Sequence, residues 1–142
     1  MNLAMLLENT AERFPQRIAL RFEGEEVTYQ ELNQRVNALA CGLTSLGLAS
    51  GDTCILMMQS SLQFVAAYYA LARMGVAVVP VNFLYKSHEL SHIFQDSGAK
   101  GFIGMYPFLE EPGKILANLP DLSIRVASGV KPGSGFVPFE TV

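Results

Sequence analysis

TYQELNQRVNALACGLTSLGLASGDTCILMMQSSLQFVAAYYALARMGVAVVPVN, residues 28 to 82, decides the fold. Thr28 and Glu31 have capping-box spacing: the hydroxyl can accept from the Glu31 amide while the carboxylate reaches back. Leu32, Val36, Leu39, Leu43 and Leu46 then recur as one apolar stripe, and Gly47 ends the helix. Gly51-Asp52 turns the chain, with Asp52 stabilising the turn, into a strand from Thr53 to Met58. Ser60 and Gln63 repeat the capping pattern and open a helix that is apolar nearly all round, from Leu62 to Leu71. A helix of that kind is covered on most sides. Gly75 stops it, and β-branched Val76 to Val81 read as a buried strand. The product is a βαβ layer.

Outward from that stretch the alternation continues. Leu3, Leu6, Leu7, Ala11 and Phe14 have helical spacing, stopped by Pro15. Ile18 to Phe22 and Glu26 to Thr28 flank Gly24 as a small hairpin. Ser87 is placed as the cap of a shorter helix through Leu90, Ile93 and Phe94. Gly101 to Met105 reads as a strand, Pro107 to Asn118 as a weaker helix, and Ile124 to Ala127 as the last strand. Residues 129–135 form a loop rich in Gly, Pro and Ser, and Val137 to Val142 complete no element. The expectation is an α/β fold: a mostly parallel sheet with helices on both faces, plus the early hairpin.

Composition narrows the function classes. The chain has 142 residues, half of them hydrophobic and 16% charged, with a net charge of −3. A buried core is feasible, and no basic stripe or cluster points to nucleic acid or an anionic membrane. The apolar run from Phe64 to Phe83 is about long enough to span a bilayer. Arg73 at its middle would cost roughly 2.5–3.5 kcal/mol there, and Gly75 and Pro80 break it, so no transmembrane segment is expected. Cys41 and Cys54 are read as small buried thiols in a reducing compartment, hence a cytoplasmic protein. The N-terminus lacks the positive region of a signal peptide.

One catalytic pattern is complete as a string: His88-Glu89-Leu90-Ser91-His92 is H-E-x-x-H. Zinc peptidases need two imidazoles one turn apart and a glutamate to activate water. A third ligand would have to be Glu110 or Glu111, because the chain has only two histidines. Leu90, Ile93 and Phe94 define the core face of that helix, so the histidines are read as incidental. No G-x-G-x-x-G, Walker loop or nucleophile elbow is present; Gly113-Lys114 is followed by Ile115, and Ser97 to Gly101 reads as a helix stop before a strand. Arg73 in an apolar helix calls for a solvent exit or an acidic partner, a structural role.

The ordered set resembles the N-terminal subdomain of the AMP-forming acyl-CoA synthetases, the superfamily of acyl- and aryl-CoA ligases, peptide-synthetase adenylation domains and luciferases. Ala11 to Pro15 and Ile18-Ala19-Leu20 resemble its opening helix and strand, and Thr28-Tyr29 with Glu31-Leu32 its T-Y-x-E-L signature. Gly51-Asp52, Phe64 to Ala72, Met74-Gly75-Val76 and Val79-Pro80-Val81-Asn82 follow in family order. So do Glu89-Leu90, Ile93, Asp96-Ser97 and Ala99-Lys100. The match covers about residues 3 to 105.

The resemblance implies a reaction in which a carboxylate and ATP give an acyl-adenylate and pyrophosphate, after which coenzyme A takes the acyl group. ATP, Mg²⁺ and CoA serve the parent enzyme; none is expected bound to this chain. The family's phosphate loop, its aromatic-Gly-x-Thr-Glu string, its adenosine-binding Asp and its mobile lysine have no counterpart here. No catalytic, cofactor-binding or metal residue is therefore carried over. The expectation is an N-terminal part of a larger enzyme, inactive alone, with a fatty-acid-like carboxylate reached through the parent. Residues 1–128 form the α/β subdomain, and residues 129–142 form a loop and the truncated start of the next segment. The partner is the rest of the parent ligase, not nucleic acid. A non-catalytic interaction domain that self-associates through exposed apolar surface is the alternative, and a zinc peptidase through His88, Glu89 and His92 the third reading.

Overall fold

A computed structural model describes residues 2–142. Its central element is a five-stranded parallel sheet, and a separate antiparallel hairpin joins β1 (Ile18–Phe22) to β2 (Glu25–Thr28). The sheet contains β3 (Thr53–Met57), β4 (Ala77–Pro80), β5 (Gly101–Met105), β6 (Ile124–Ser128) and β7 (Val137–Pro138), in spatial order β4-β3-β5-β6-β7. The helices are α1 (Leu3–Arg13), α2 (Tyr29–Ser45), α3 (Leu62–Met74), α4 (Ser87–Asp96) and α5 (Glu110–Leu116).

Strand periodicity sorts the core into two halves. Cys54, Leu56, Ile103 and Val126 pack with Val36, Leu43, Ala67 and Leu71, beneath α2 and α3. Ile55, Met57 and Phe102 point the other way, against Leu90, Phe94 and Leu116 of α4 and α5. Successive residues of β3 thus feed opposite faces, as a pleated strand requires. Burial on both faces explains why β3 is a continuous apolar run.

The helix starts are set by local chemistry. Thr28 caps α2 as the sequence predicts: its hydroxyl accepts from the Glu31 amide at 3.2 Å, and its own amide donates to Glu31 at 2.8 Å. The cap of α3 is Ser61, one residue later than expected, and accepts from the Phe64 amide at 3.1 Å. The cap of α4 is Lys86, whose amide donates to Glu89 at 3.0 Å, and Ser87 is the first helical residue. Its hydroxyl is engaged elsewhere, with Glu111.

The face of α1 also differs from expectation. Ala4, Leu7 and Ala11 are buried, whereas Leu3 and Leu6 are 42% and 49% exposed. The two alanines let the helix lie close on its neighbours, and the Asn2 side chain donates to the carbonyl of Ala72. Residues 137–142, read as completing no element, form β7 beside Val126-Ala127 and a short 3₁₀ turn at Phe139–Thr141. The expected helix from Pro107 is shorter, starting at Glu110 after a cis Tyr106-Pro107 bond. Arg73 finds its polar exit between helices: it donates to Asn37 and, at 2.9 Å, to Asn33, with Glu8 3.5 Å away. Cys54 is buried as expected, but Cys41 is exposed on α2. Among the described residues, no helix is long and apolar enough to cross a membrane.

Candidate functional site

Strand order changes direction at β3. The chain runs from β3 outward to β4 through α3, then returns past β3 to β5 through α4. Because α3 and α4 belong to opposite core halves, the connections diverge at the carboxyl ends of β3 and β5, which makes this edge the topological switch point. Such switch points are where open α/β sheets hold ligands.

The residues on this rim come from three connections. Gln59 and Ser60 follow β3 and are exposed. After β4, Asn82 accepts from the Leu84 amide at 2.9 Å and turns the chain, leaving Leu84 64% exposed. After β5, Tyr106 is 66% exposed while its amide stays tied to Ser128. Phe83 and Phe108 brace the two connections with ring centroids 4.7 Å apart. Hydroxyls, the amides of Gln59 and Asn82, and aromatic rings dominate this edge. Paired carboxylates or a nucleophile with a neighbouring base, which acid–base or covalent catalysis requires, are missing from residues 58–61, 81–86 and 106–109.

Beside the rim, the end of β6 is fastened from the C-terminal segment. Buried Ser128 donates to Glu140 at 2.6 Å, and the Gly129 amide donates to the same oxygen at 3.2 Å. Burial pushes the Glu140 carboxyl up, but the bonds from Ser128 and from the backbone amides outweigh it and hold it below its usual range. A cavity of 340 Å³ lies further along, between α2, the start of α3 and the Phe139 turn. Leu39, Leu62 and Phe139 make it largely apolar, and the Arg35–Glu25 ion pair, 2.8 Å, occupies its edge. Neither Glu140 nor the cavity was legible in the sequence: Glu140 acts by folding back on Ser128 and Gly129 across an irregular loop, and the cavity joins α2 to the Phe139 turn, about a hundred residues on.

The H-E-x-x-H residues do not assemble a peptidase centre. His88 and His92 are exposed on one side of α4. Glu89, the would-be base, accepts the Lys86 amide at the helix start. Glu111, a would-be third ligand, accepts the amide of Ser87 at 2.8 Å and its hydroxyl. Those two bonds, with Lys114 adding to them, draw its carboxyl down to about 2. Among the described residues, no three His, Cys, Asp or Glu side chains lie together as a metal set. Cys54, pushed up to about 12 by burial, is no nucleophile either.

Comparison with known proteins identifies this framework. A family model described as AMP-binding enzyme matches residues 7–131. The chain belongs to the AMP-binding enzyme family. Within it, the chain is 38% identical over 98 residues to surfactin synthase subunit 1 of Bacillus subtilis, covering 69% of this chain and 3% of that protein. It is 37% identical over 116 residues to a long-chain-fatty-acid–CoA ligase of Salmonella typhimurium, covering 81% and 21%. The fold superposes on the anthranilate CoA ligase AuaEII, solved with anthranoyl-AMP, with a TM-score of 0.93 at 26% identity. That match covers 99% of this chain and 27% of the other. This member of the AMP-binding family therefore spans 3% and 21% of the two curated relatives, corresponding to the N-terminal portion of the ligases. The expected α/β fold, with its parallel sheet and early hairpin, is the one these ligases share.

Proposed function

We propose that this chain is the N-terminal supporting layer of an ATP-dependent, AMP-forming acyl-CoA ligase acting on a fatty-acid-like carboxylate. The overall reaction is carboxylate, ATP and CoA to acyl-CoA, AMP and pyrophosphate. The family match over residues 7–131 carries this reading, and the Salmonella fatty-acid ligase among the relatives favours the acyl class. In this scheme ATP, Mg²⁺ and CoA are held by other parts of the ligase, where donors aimed at the α-phosphate stabilise its developing charge. Residues 1–128 supply the body of the layer; residues 129–142 add its edge strand β7 and lead into the next segment. Leu84, Tyr85 and Tyr106 give the rest of the ligase an aromatic and aliphatic rim to pack on. The two thiols fit a cytoplasmic setting.

The test is a chimera in which residues 7–131 replace the matching segment of the Salmonella ligase. It is expected to form fatty acyl-CoA, while the 142-residue chain alone releases no pyrophosphate from ATP, Mg²⁺ and any carboxylate in a panel. Turnover by the isolated chain overturns the supporting role, and a soluble but inactive chimera overturns the acyl-CoA assignment. A non-catalytic interaction domain is the second reading, favoured by Leu84 and Tyr106 at 64% and 66% exposure. Sedimentation that shows self-association lost in Leu84→Ser would support it.

A further inference from the structure

The peptidase reading fails, yet its two imidazoles remain, and their placement has chemistry of its own. His88 and His92 are one turn apart on α4, and both are exposed. Together with Ser87, Ser91 and Gln95 they border a single surface hollow. Residues 88, 91, 92 and 95 have i, i+3, i+4, i+7 spacing, so they form one stripe along the helix. Side chains at i and i+4 have Cβ atoms about 5–6 Å apart, a span that lets both rings reach one ion at the roughly 2.0–2.1 Å of a metal–imidazole bond.

The support beneath the stripe is rigid. Leu90 is fully buried and Phe94 is 2% exposed, which fixes the opposite face of α4. Both bonds from Ser87 to Glu111 clamp its first turn to α5. A chelating pair on a frayed helix end would lose affinity to ordering; this pair is held in place before the ion arrives. The positive end of the helix dipole disfavours a cation near His88, and the Glu89 and Glu111 carboxylates at the same end offset it. Glu89 is tied to the Lys86 amide and Glu111 to Ser87, so neither is free to swing into the site as a ligand.

We propose that His88 and His92 form a two-imidazole surface site for a divalent transition-metal ion. Water completes the coordination, and binding is tightest for Cu²⁺, following the order in which nitrogen sites prefer first-row ions. No hydrolytic step is attached to the site. It does not draw on the ligase reading, because both imidazoles are exposed on α4 of this chain.

Calorimetric titration of the tag-free 142-residue chain with Cu²⁺, Zn²⁺ and Mg²⁺ tests it. One Cu²⁺ per chain is expected, Zn²⁺ weaker, and no heat from Mg²⁺, which prefers oxygen ligands. His88→Gln and His92→Gln are each expected to weaken Cu²⁺ binding by at least the roughly 10–100-fold that loss of a mere outer-shell partner costs. Cys41→Ser is expected to bind as the parent does. Circular dichroism confirms that the variants are folded. Unchanged affinity in both histidine variants, loss of binding in Cys41→Ser, or equal binding of Mg²⁺ would each overturn the proposal.

Discussion

The backbone amide of Ser87 donates to a carboxylate oxygen of Glu111 at 2.8 Å, and the Ser87 hydroxyl donates to the same oxygen. One acceptor thereby joins the first turn of α4 to the first turn of α5, on the face of the sheet that carries Phe94 and Phe102. The same contact removes Ser87 from capping duty and Glu111 from any metal set. It decides two sequence-based expectations at once.

A pH dependence follows from this tie. The Ser87 hydroxyl and amide hold the Glu111 carboxyl down to about 2, from an ordinary 4.5. A depressed carboxyl stabilises the folded state above its unfolded value, and that contribution is lost as pH falls through its folded value. Urea melts of the parent and of Glu111→Gln should therefore differ at pH 6. The gap should close between about pH 4.5 and pH 2. A gap that persists unchanged at low pH would mean that it does not come from the ionised carboxylate, and no gap at pH 6 would mean that the tie contributes nothing.

Two glycines should respond to alanine with opposite signs. A Cβ on Gly104 of β5 would lie 2.5 Å from Phe102 Cε1 and 2.8 Å from Leu109 Cδ2. Phe102 is fully buried and Leu109 half-buried, so Gly104→Ala should cost about 1–3 kcal/mol of overpacking. Gly113 lies inside α5 with nothing within 4 Å of its Cβ position. Gly113→Ala should stabilise by roughly 0.5–1 kcal/mol through lower chain entropy. Chemical denaturation of both variants checks the sign, and a neutral Gly104→Ala would show that Phe102 can move aside.

How much was legible depended on how local the cause was. The Thr28–Glu31 box, the α2 stripe from Leu32 to Leu43 and the apolar β3 run carry their own explanation within a few residues and appear where the spacing puts them. Leu46, the last residue of the expected stripe, only caps the helix end and is 38% exposed. Ser61 instead of Ser60, and Lys86 instead of Ser87, are caps chosen by the direction in which a strand delivers the chain and by a partner 24 residues away. The hydrophobic stripe of α1 was turned because Ala4 and Ala11, not Leu3 and Leu6, allow close approach. A two-residue strand such as β7 has no periodicity to read; its only cause is the open edge of β6. The H-E-x-x-H string was legible as letters, but the bonds that occupy Glu89 and Glu111 were not.

Arg73 should prove a strut, not a passive charge. Its guanidinium donates to Asn33 at 2.9 Å and to Asn37, residues on successive turns of α2, and lies 3.5 Å from Glu8 of α1. A planar fork meets two acceptors at once, which an ammonium cannot copy. Arg73→Met should cost about 1–3 kcal/mol, because the partly buried Asn33 amide loses its donor. Arg73→Lys should recover only part of that. Full recovery by lysine in thermal melts would show that charge near Glu8, not the fork, is what matters.

The two thiols should separate cleanly in a labelling experiment. Cys41 is exposed on α2, whereas Cys54 is fully buried in β3 and pushed up to about 12. Thiolate is the reacting form, and burial removes both thiolate and access. A disulfide reagent at pH 8 should therefore titrate one thiol per native chain within minutes and the second only on unfolding. Cys41→Ser should abolish the fast phase. The rate of the slow phase then reports opening of the central strand, since Cys54 is flanked by β4 and β5 and cannot be reached while either neighbour is paired. Two fast thiols in the native chain would mean that β3 is not the shielded centre of the sheet, and would unseat the architecture from which every other prediction starts.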